Sequence, residues 1–262
     1  MNERARMCWI LLTLAGLSTA ASAQELVVHY KLDETSGSTC FDSSSGAHHG
    51  QLAGGVVLGA PGAHSTTGSS ADFDGVDDHA TVPDGPELTT LTSDLTILAW
   101  VKPGNVSTRQ RVMGNDGSWT FGLENSGLIF TTRTIQDYLV SGSLSADTWA
   151  HVAVAFDSSY DATFYVDGAP IGVVTGSSPS NPPGPTWYLG CYNGAIEWFD
   201  GNLDDIQVYD TALSAQDVLF LYQNPGASLS LGQRHCSTLP NSTGAPAVIT
   251  ALGSTSIAAN DL

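Results

Sequence analysis

Basic residues are scarce: eight lysines and arginines stand against 26 aspartates and glutamates, a formal net charge of -18 at pH 7. A surface of that sign repels nucleic acid and anionic membranes, which argues against both as partners, and it favours cations. Long apolar runs are scarcer still. The one that stands out, Met7 to Leu17, is shorter than the roughly 18 residues a membrane span needs, so no membrane insertion is expected. Arg4 and Arg6 precede it and Ala21-Ser22-Ala23 follows, the layout of an export signal cut after Ala23. Residues 1–23 therefore read as a signal peptide, and the remainder as a secreted or cell-surface protein.

Cysteine is rare too, with four in 262 residues, and Cys8 leaves with the signal. In an oxidising compartment the remaining three make an odd set. Either Cys40 pairs with Cys191 and Cys236 is spare, or Cys236 takes a partner outside the chain. No C-x-x-C or H-x-x-x-H spacing occurs, which argues against zinc.

What the sequence has in abundance is glycine, 28 residues of it, punctuating short alternating runs from Leu26–Leu32 through to Asn202–Tyr209. Helical periodicity is almost absent. This pattern predicts one all-β sandwich over residues 24–227. Asp74-Gly75, Asp116-Gly117 and Asp167-Gly168 supply the positive φ of tight turns. One helix is expected: Ser214 and Asp217 form a capping box ahead of Val218, Leu219, Leu221 and Tyr222, and Pro225-Gly226 stops it. Residues 228–262 change to Ser, Thr, Ala and Gly, and read as a tail or the truncated start of a second β module.

Asp204 breaks the alternation of the last run. Strict alternation puts Asp204, Ile206 and Val208 on the core face, with Asp205, Gln207 and Tyr209 opposite. By the same count Glu34 follows Val28, Tyr30 and Leu32 at the core edge. A carboxylate there is costly unless paired. With so few bases available, a hard divalent cation held by oxygen ligands is the alternative, and calcium fits best. Asp42, in a Ser/Gly loop, completes the candidate trio. Simpler roles stand beside this one: Asp42 as the cap of an Asx-type turn, Glu34 bonded to a loop backbone, Asp204 solvated at a frayed strand start.

Five blocks in order, "HYKLDETSGSTCFDSSSGAHHGQL", "ADFDGVDDHATVPDGPEL", "LTILAWVKP", "WAHVAVAFDSSYDATFYVDG" and "FDGNLDDIQVYDTALSAQDVLFLY", resemble the laminin G-like, concanavalin A-like domains of secreted bacterial proteins. The resemblance implies a two-sheet antiparallel jelly-roll sandwich with one short C-terminal edge helix. It also implies carbohydrate or protein binding, and often a structural calcium ion where first and last strands meet. Carried over, it makes Glu34, Asp42 and Asp204 the metal ligands, with Asp205 as a further candidate whose side chain points away. Ser45-Gly46-Ala47 stands where that family often has Gly-Asn-Gly.

Three function classes follow. The first is a non-catalytic recognition module for a glycan or a cell-surface or matrix protein, with calcium shaping its loops. Trp100 and Trp149 belong to core strands, whereas Trp119, Tyr192 and Trp198 lie nearer loops, where a sugar ring could stack or where the rings could simply close the sandwich. The second is an adhesive or structural spacer in a larger surface protein. The third is a glycoside hydrolase, but the Glu-x-Asp-x-x-Glu strand of retaining β-sandwich enzymes is absent, leaving only Asp77-Asp78 or Asp204-Asp205 as places for an inverting pair. No Gly-x-Ser-x-Gly elbow is present.

Overall fold

The computed structural model describes residues 26–142 and 144–229. The expected signal peptide, Cys8, Cys236 and nearly all of the expected tail fall outside them. In chain order the strands are β1 (Leu26–Tyr30), β2 (Thr39–Cys40), β3 (Gly50–Ala53), β4 (Val57–Pro61), β5 (Ser69–Asp74), β6 (His79–Pro83), β7 (Leu95–Pro103) and β8 (Gln110–Asn115). They continue as β9 (Trp119–Glu124), β10 (Gly127–Thr132), β11 (Gln136–Val140), β12 (Ala150–Phe156), β13 (Ala162–Val166), β14 (Ala169–Val174), β15 (Thr186–Leu189) and β16 (Asp200–Tyr209). Helix α1 (Pro86–Thr89) links β6 to β7, and α2 (Ala215–Gln223) follows β16.

Two antiparallel sheets form. One runs β14-β13-β12-β7-β16-β5-β4, with β1 also beside β16; the other runs β11-β10-β9-β8-β15-β6-β3-β2. This is the expected two-sheet jelly-roll sandwich. Strands β2, β3 and β4 lie outside the runs that apolar alternation picks out: β2 is only two residues long, and β4 shows only half-buried or exposed side chains. Between the sheets, the inward positions of both meet in one core that includes Phe73, Trp119, Phe121, Phe130, Phe156, Phe164 and Trp187. Trp119 lies at its centre, 4.9 Å from the Trp187 ring and 6.0 Å from Phe130. Its indole N–H donates to the Leu91 carbonyl.

A smaller core lies on the outer face of the first sheet. There Leu98, Ala153, Ala155, Tyr165 and Tyr209 are covered by Leu213, Val218, Leu221 and Leu229. Helix α2 starts where expected: the Ser214 hydroxyl accepts from the Asp217 N–H while the Asp217 carboxylate accepts from Ser214. Trp100 belongs to this outer face, against His64, His151 and Tyr222, and Trp149 is only half-buried just before β12; neither is in the inter-sheet core.

The face assignment of the last strand needs correcting. Asp205 has a left-handed backbone, φ 49, and the register of β16 against β7 shifts between Asp204 and Gln207. One extra residue in a strand reverses the side-chain parity beyond it. Leu203, Ile206 and Val208 all enter the core as a result, while Asp204 lies directly across from Trp100 on the outer face.

The Cys40–Cys191 pairing, one of the alternatives above, is not formed: both are free, buried thiols. Cys40 packs over Gly50, and the Cys191 sulfur accepts from the Gly194 N–H at 3.3 Å. Burial pushes both up to about 12.

Because Trp119 is fully enclosed, Trp119→Ala leaves a cavity that the two sheets cannot close, and it lowers unfolding free energy by roughly 3–5 kcal/mol. Urea denaturation at constant pH measures this. A loss below 1 kcal/mol would mean that the ring is not part of the core.

Candidate functional site

The four acids expected to hold an ion belong to separate networks. Asp42 sits in the loop between β2 and β3 and caps it: Oδ1 accepts from the His29 and Ser44 N–H groups at 2.8 and 2.9 Å, and Oδ2 from the Ser44 hydroxyl and the His48 N–H, both at 2.8 Å. Burial would raise its pKa, but these donors outweigh burial and hold it below the ordinary range. Glu34 Oε1 accepts from the Phe41 N–H at 2.8 Å, and its Oε2 is buried without a partner. Asp205 Oδ1 meets His29 Nε2 at 2.5 Å and Gln207 Nε2 at 3.2 Å, while Oδ2 accepts from the Gly226 N–H. It thereby ties β1, β16 and the chain after α2 together.

Asp204 is fully enclosed. Its Oδ2 accepts from the Ala63 N–H at 2.8 Å and the Thr67 hydroxyl at 2.6 Å, and Oδ1 has no partner. Burial pushes the carboxyl up to about 7, with the Thr67 and Ala63 donors pulling the other way. So Asp42 spends its oxygens on backbone and serine donors, and Asp205 spends its own on a different set. Among the described residues, the group of acids whose oxygens come within 4.8 Å of one another is instead Asp74, Asp77 and Asp78, at the β5–β6 turn.

The expected aromatic platform is likewise dispersed. Trp119 is in the core, which corrects its assignment to ligand. Trp198 packs beside His79, ring centroids 5.6 Å apart. Tyr192 borders a cavity.

That cavity, about 270 Å³, opens on the outer face of the second sheet. Alternation builds its floor: Trp119 and Phe121 of β9 and Phe130 of β10 point into the core, so Thr120 and Thr131, cross-strand partners, point out. On β8 the register shifts between Arg111 and Met113, which lets Val112 and Met113 both face the core and turns Arg111 outward. The close approach of β8 and β9 here needs glycine, since a Cβ on Gly122 would stand 1.9 Å from the Gln110 carbonyl oxygen. Arg133 to Asp137, across the β10–β11 turn, make one wall; Tyr192 and Glu197, in the loop after β15, make another.

Three arginines surround the opening. Arg109 bonds Glu124 through Nε and Nη2, at 3.1 and 2.7 Å, and Asp137 through Nη1 at 3.1 Å. Arg111 is buried; its Nε bonds Glu197 at 2.5 Å and its Nη1 donates to Thr131 at 3.2 Å. Burial lowers its pKa, and the Glu197 carboxylate works against that. Arg133 lies over the Tyr192 ring, 4.9 Å from guanidinium carbon to centroid. The Thr120 hydroxyl, on a residue only 3% exposed, has no hydrogen-bond partner. A site of this kind offers an array of donors and acceptors around a small polar hollow, suited to a polyhydroxylated ligand rather than an apolar one.

Sequence reasoning found Tyr192 but missed the arginines, Thr120 and Thr131. The available signal was the clustering of Arg109, Arg111 and Arg133 in a chain with so few bases.

Residues 74–219 match the concanavalin A-like lectin/glucanases superfamily. Among solved structures, domain 4 of AbnA, a GH43 extracellular arabinanase from Geobacillus stearothermophilus in complex with arabinotriose, superposes with a TM-score of 0.62 at 20% identity, covering 77% of this chain and 100% of that one. The binding domain of Paraclostridial Mosquitocidal Protein 1 gives 0.60 at 16% identity over 76% of this chain and 52% of that one. The botulinum neurotoxin serotype D binding domain gives 0.58 at 12%, over 77% and 52%. The chain thus spans about half the length of these toxin domains, and at such identities the likeness is one of fold. No curated protein matches the sequence at a comparable level of significance.

Asp204 makes stability depend on pH. Unfolded, its carboxyl titrates near the ordinary 3.8; folded, near 7. Between these values the native state holds a proton that the unfolded chain has lost, so its contribution is largest below about pH 4 and decays as pH rises through 7. Asp204→Asn keeps an oxygen for Ala63 and Thr67 and cannot ionise. In urea unfolding the variant gains on the wild type with rising pH, by roughly 3–4 kcal/mol between pH 4 and pH 9. A difference that stays constant with pH would show that this carboxyl titrates normally.

Proposed function

The chain belongs to the concanavalin A-like lectin/glucanases superfamily, and from that premise we propose that it is a non-catalytic glycan-binding module whose ligand seats in the cavity over β8–β11. The observation that carries this reading is the Thr120 hydroxyl, buried in the cavity floor with its hydrogen-bonding capacity unspent. A buried polar group without a partner is costly, and a sugar hydroxyl would satisfy it. Around it, Gln136, Thr134 and Arg133 present further polar atoms. Support comes also from AbnA domain 4, solved with arabinotriose, and from botulinum neurotoxin type C, whose cell entry depends on interaction with two ganglioside molecules. A serotype DC binding domain, solved with synaptotagmin II, extends the class of partner to cell-surface proteins.

The superfamily also contains glucanases, so the absence of catalysis is part of the proposal. Both carboxylates lining the cavity, Asp137 and Glu197, are held by arginines, which leaves neither placed as a general acid. Asp204 and Asp205 are enclosed, 0% and 4% exposed, in separate networks. Export to the cell surface or medium agrees with the layout of residues 1–23, and among the described residues no helix is long and apolar enough to cross a membrane.

Calcium is a second proposal. The four acids expected to bind it do not form one site, whereas Asp74, Asp77 and Asp78 supply clustered oxygen donors of the kind calcium takes. Asp78 is 3% exposed with Oδ1 unpartnered. Burial, joined by the charges of Asp74, Asp77 and Asp72, raises its pKa against the Asp74 N–H, and a dication would relieve that cost.

For the glycan site, a glycan array followed by titration calorimetry is the test. Thr120→Val should leave the melting temperature unchanged or higher, and weaken the glycan that the wild type retains by about five- to tenfold. Full affinity in the variant would move the site elsewhere; no retention of any glycan would leave the spacer role. For calcium, saturating the wild type at about a hundred times its Kd raises the melting midpoint by roughly 5–10 °C over chelator, and Asp78→Asn abolishes the rise. Identical midpoints with calcium and chelator would remove the ion from this protein.

A further inference from the structure

We infer that the cavity over β8–β11 selects a carboxylate-bearing sugar, a hexuronic acid residue of an acidic oligosaccharide, through Arg133; this rests on the glycan-binding reading above and names its ligand class. The basic side chains of the described residues are Lys31, Lys102, Arg109, Arg111 and Arg133, and all three arginines line this one cavity. In a chain with a formal net charge of -18, that concentration of positive charge is unlike the rest of the surface.

Two of the three are spent internally. Arg109 is divided between Glu124 and Asp137, and Arg111 is committed to Glu197 and Thr131. Arg133 differs. It is exposed, and among the described residues no carboxylate lies within ion-pair reach of it and its guanidinium donates no hydrogen bond. Its contact is the Tyr192 ring. A cation–π contact holds a guanidinium in place without using its N–H donors. Arg133 is therefore charged, and its donors face solvent rather than a protein partner, at the mouth of a polar hollow.

A planar fork of donors matches a carboxylate bidentately, which a neutral sugar cannot reproduce. The unpartnered Thr120 hydroxyl on the floor gives a ring hydroxyl its partner, so one uronic acid residue would engage both the buried hydroxyl and the free guanidinium. The two carboxylates in the cavity lining, Asp137 and Glu197, are each ion-paired with Arg109 or Arg111, and the negative charge of the remaining surface opposes an acidic ligand at long range. At about 0.15 M salt it is screened beyond roughly 8 Å, whereas a direct guanidinium–carboxylate contact is screened far less.

The test compares size-matched oligosaccharides of galacturonic, glucuronic and mannuronic acid with their methyl esters, which keep the ring and lose the charge, by titration calorimetry at 0.15 M salt on wild type, Arg133→Gln and Arg133→Lys. At least one acid form binds the wild type about tenfold or more tighter than its ester. Arg133→Gln closes that gap without lowering the melting temperature, and Arg133→Lys restores part of it. If acid and ester bind alike, or if Arg133→Gln keeps the gap, the inference is overturned. Binding of neutral glycans that depends on Thr120, with no advantage for acids, would overturn this inference alone; binding of neither kind would overturn the glycan-binding reading with it.

Discussion

Strand β16 carries two neighbours on one edge. Its first half, from Asp200 to Leu203, hydrogen-bonds to β5; its second, from Ile206 to Tyr209, hydrogen-bonds to β1; β7 runs along its other side throughout. The change of partner needs a break in the ladder, and the left-handed Asp205 supplies it. A short polar side chain tolerates that backbone better than most. The carboxylates at the break then do structural work. Asp205 binds β1 through His29, and Asp204 holds the chain entering β5 through Ala63 and Thr67. The two acids that first suggested an ion site instead fasten the two strands that flank the break.

The opposite sheet is arranged by the same geometry to another end. There a register shift on β8 turns Arg111 outward, and simple alternation along β9 and β10 leaves Thr120 and Thr131 facing out behind a wall of buried aromatics. The packed core makes the floor rigid, and the loops after β10 and β15 supply the walls. This division, a stiff sheet under adaptable loops, is how a scaffold can hold a polar site without bending to fit it.

Much of the fold was legible because its signals are local. Alternation marks most of the strands, Asp-Gly pairs mark turns, and Ser214 with Asp217 marks the start of α2 within a residue. What could not be read was parity across an irregularity. The count of two that puts Ile206 and Val208 in the core is right beyond the irregularity and inverted at Asp204, because nothing in "NLDDIQ" announces which aspartate takes the left-handed conformation. The site was less legible than the fold for a related reason. Arg109, Arg111, Thr120, Thr131 and Arg133 come from the loop before β8, three strands and a turn, and only the hairpin registers bring them together. Aromatics near loops were a poor guide: Trp119 sits next to the Asp116-Gly117 turn and is still in the core. Scarcity was the better one, since three of the few bases fall within one stretch of hairpins.

Cys40 and Cys191 bear on a different property of the domain. Each thiol lies inside the protein on its own neighbours, and burial keeps both protonated at neutral pH. The thiolate is the form that attacks and oxidises. Among the described residues there is therefore no disulfide and no thiol poised to react with oxidants. Packing and hydrogen bonds, rather than disulfides, hold the described residues together.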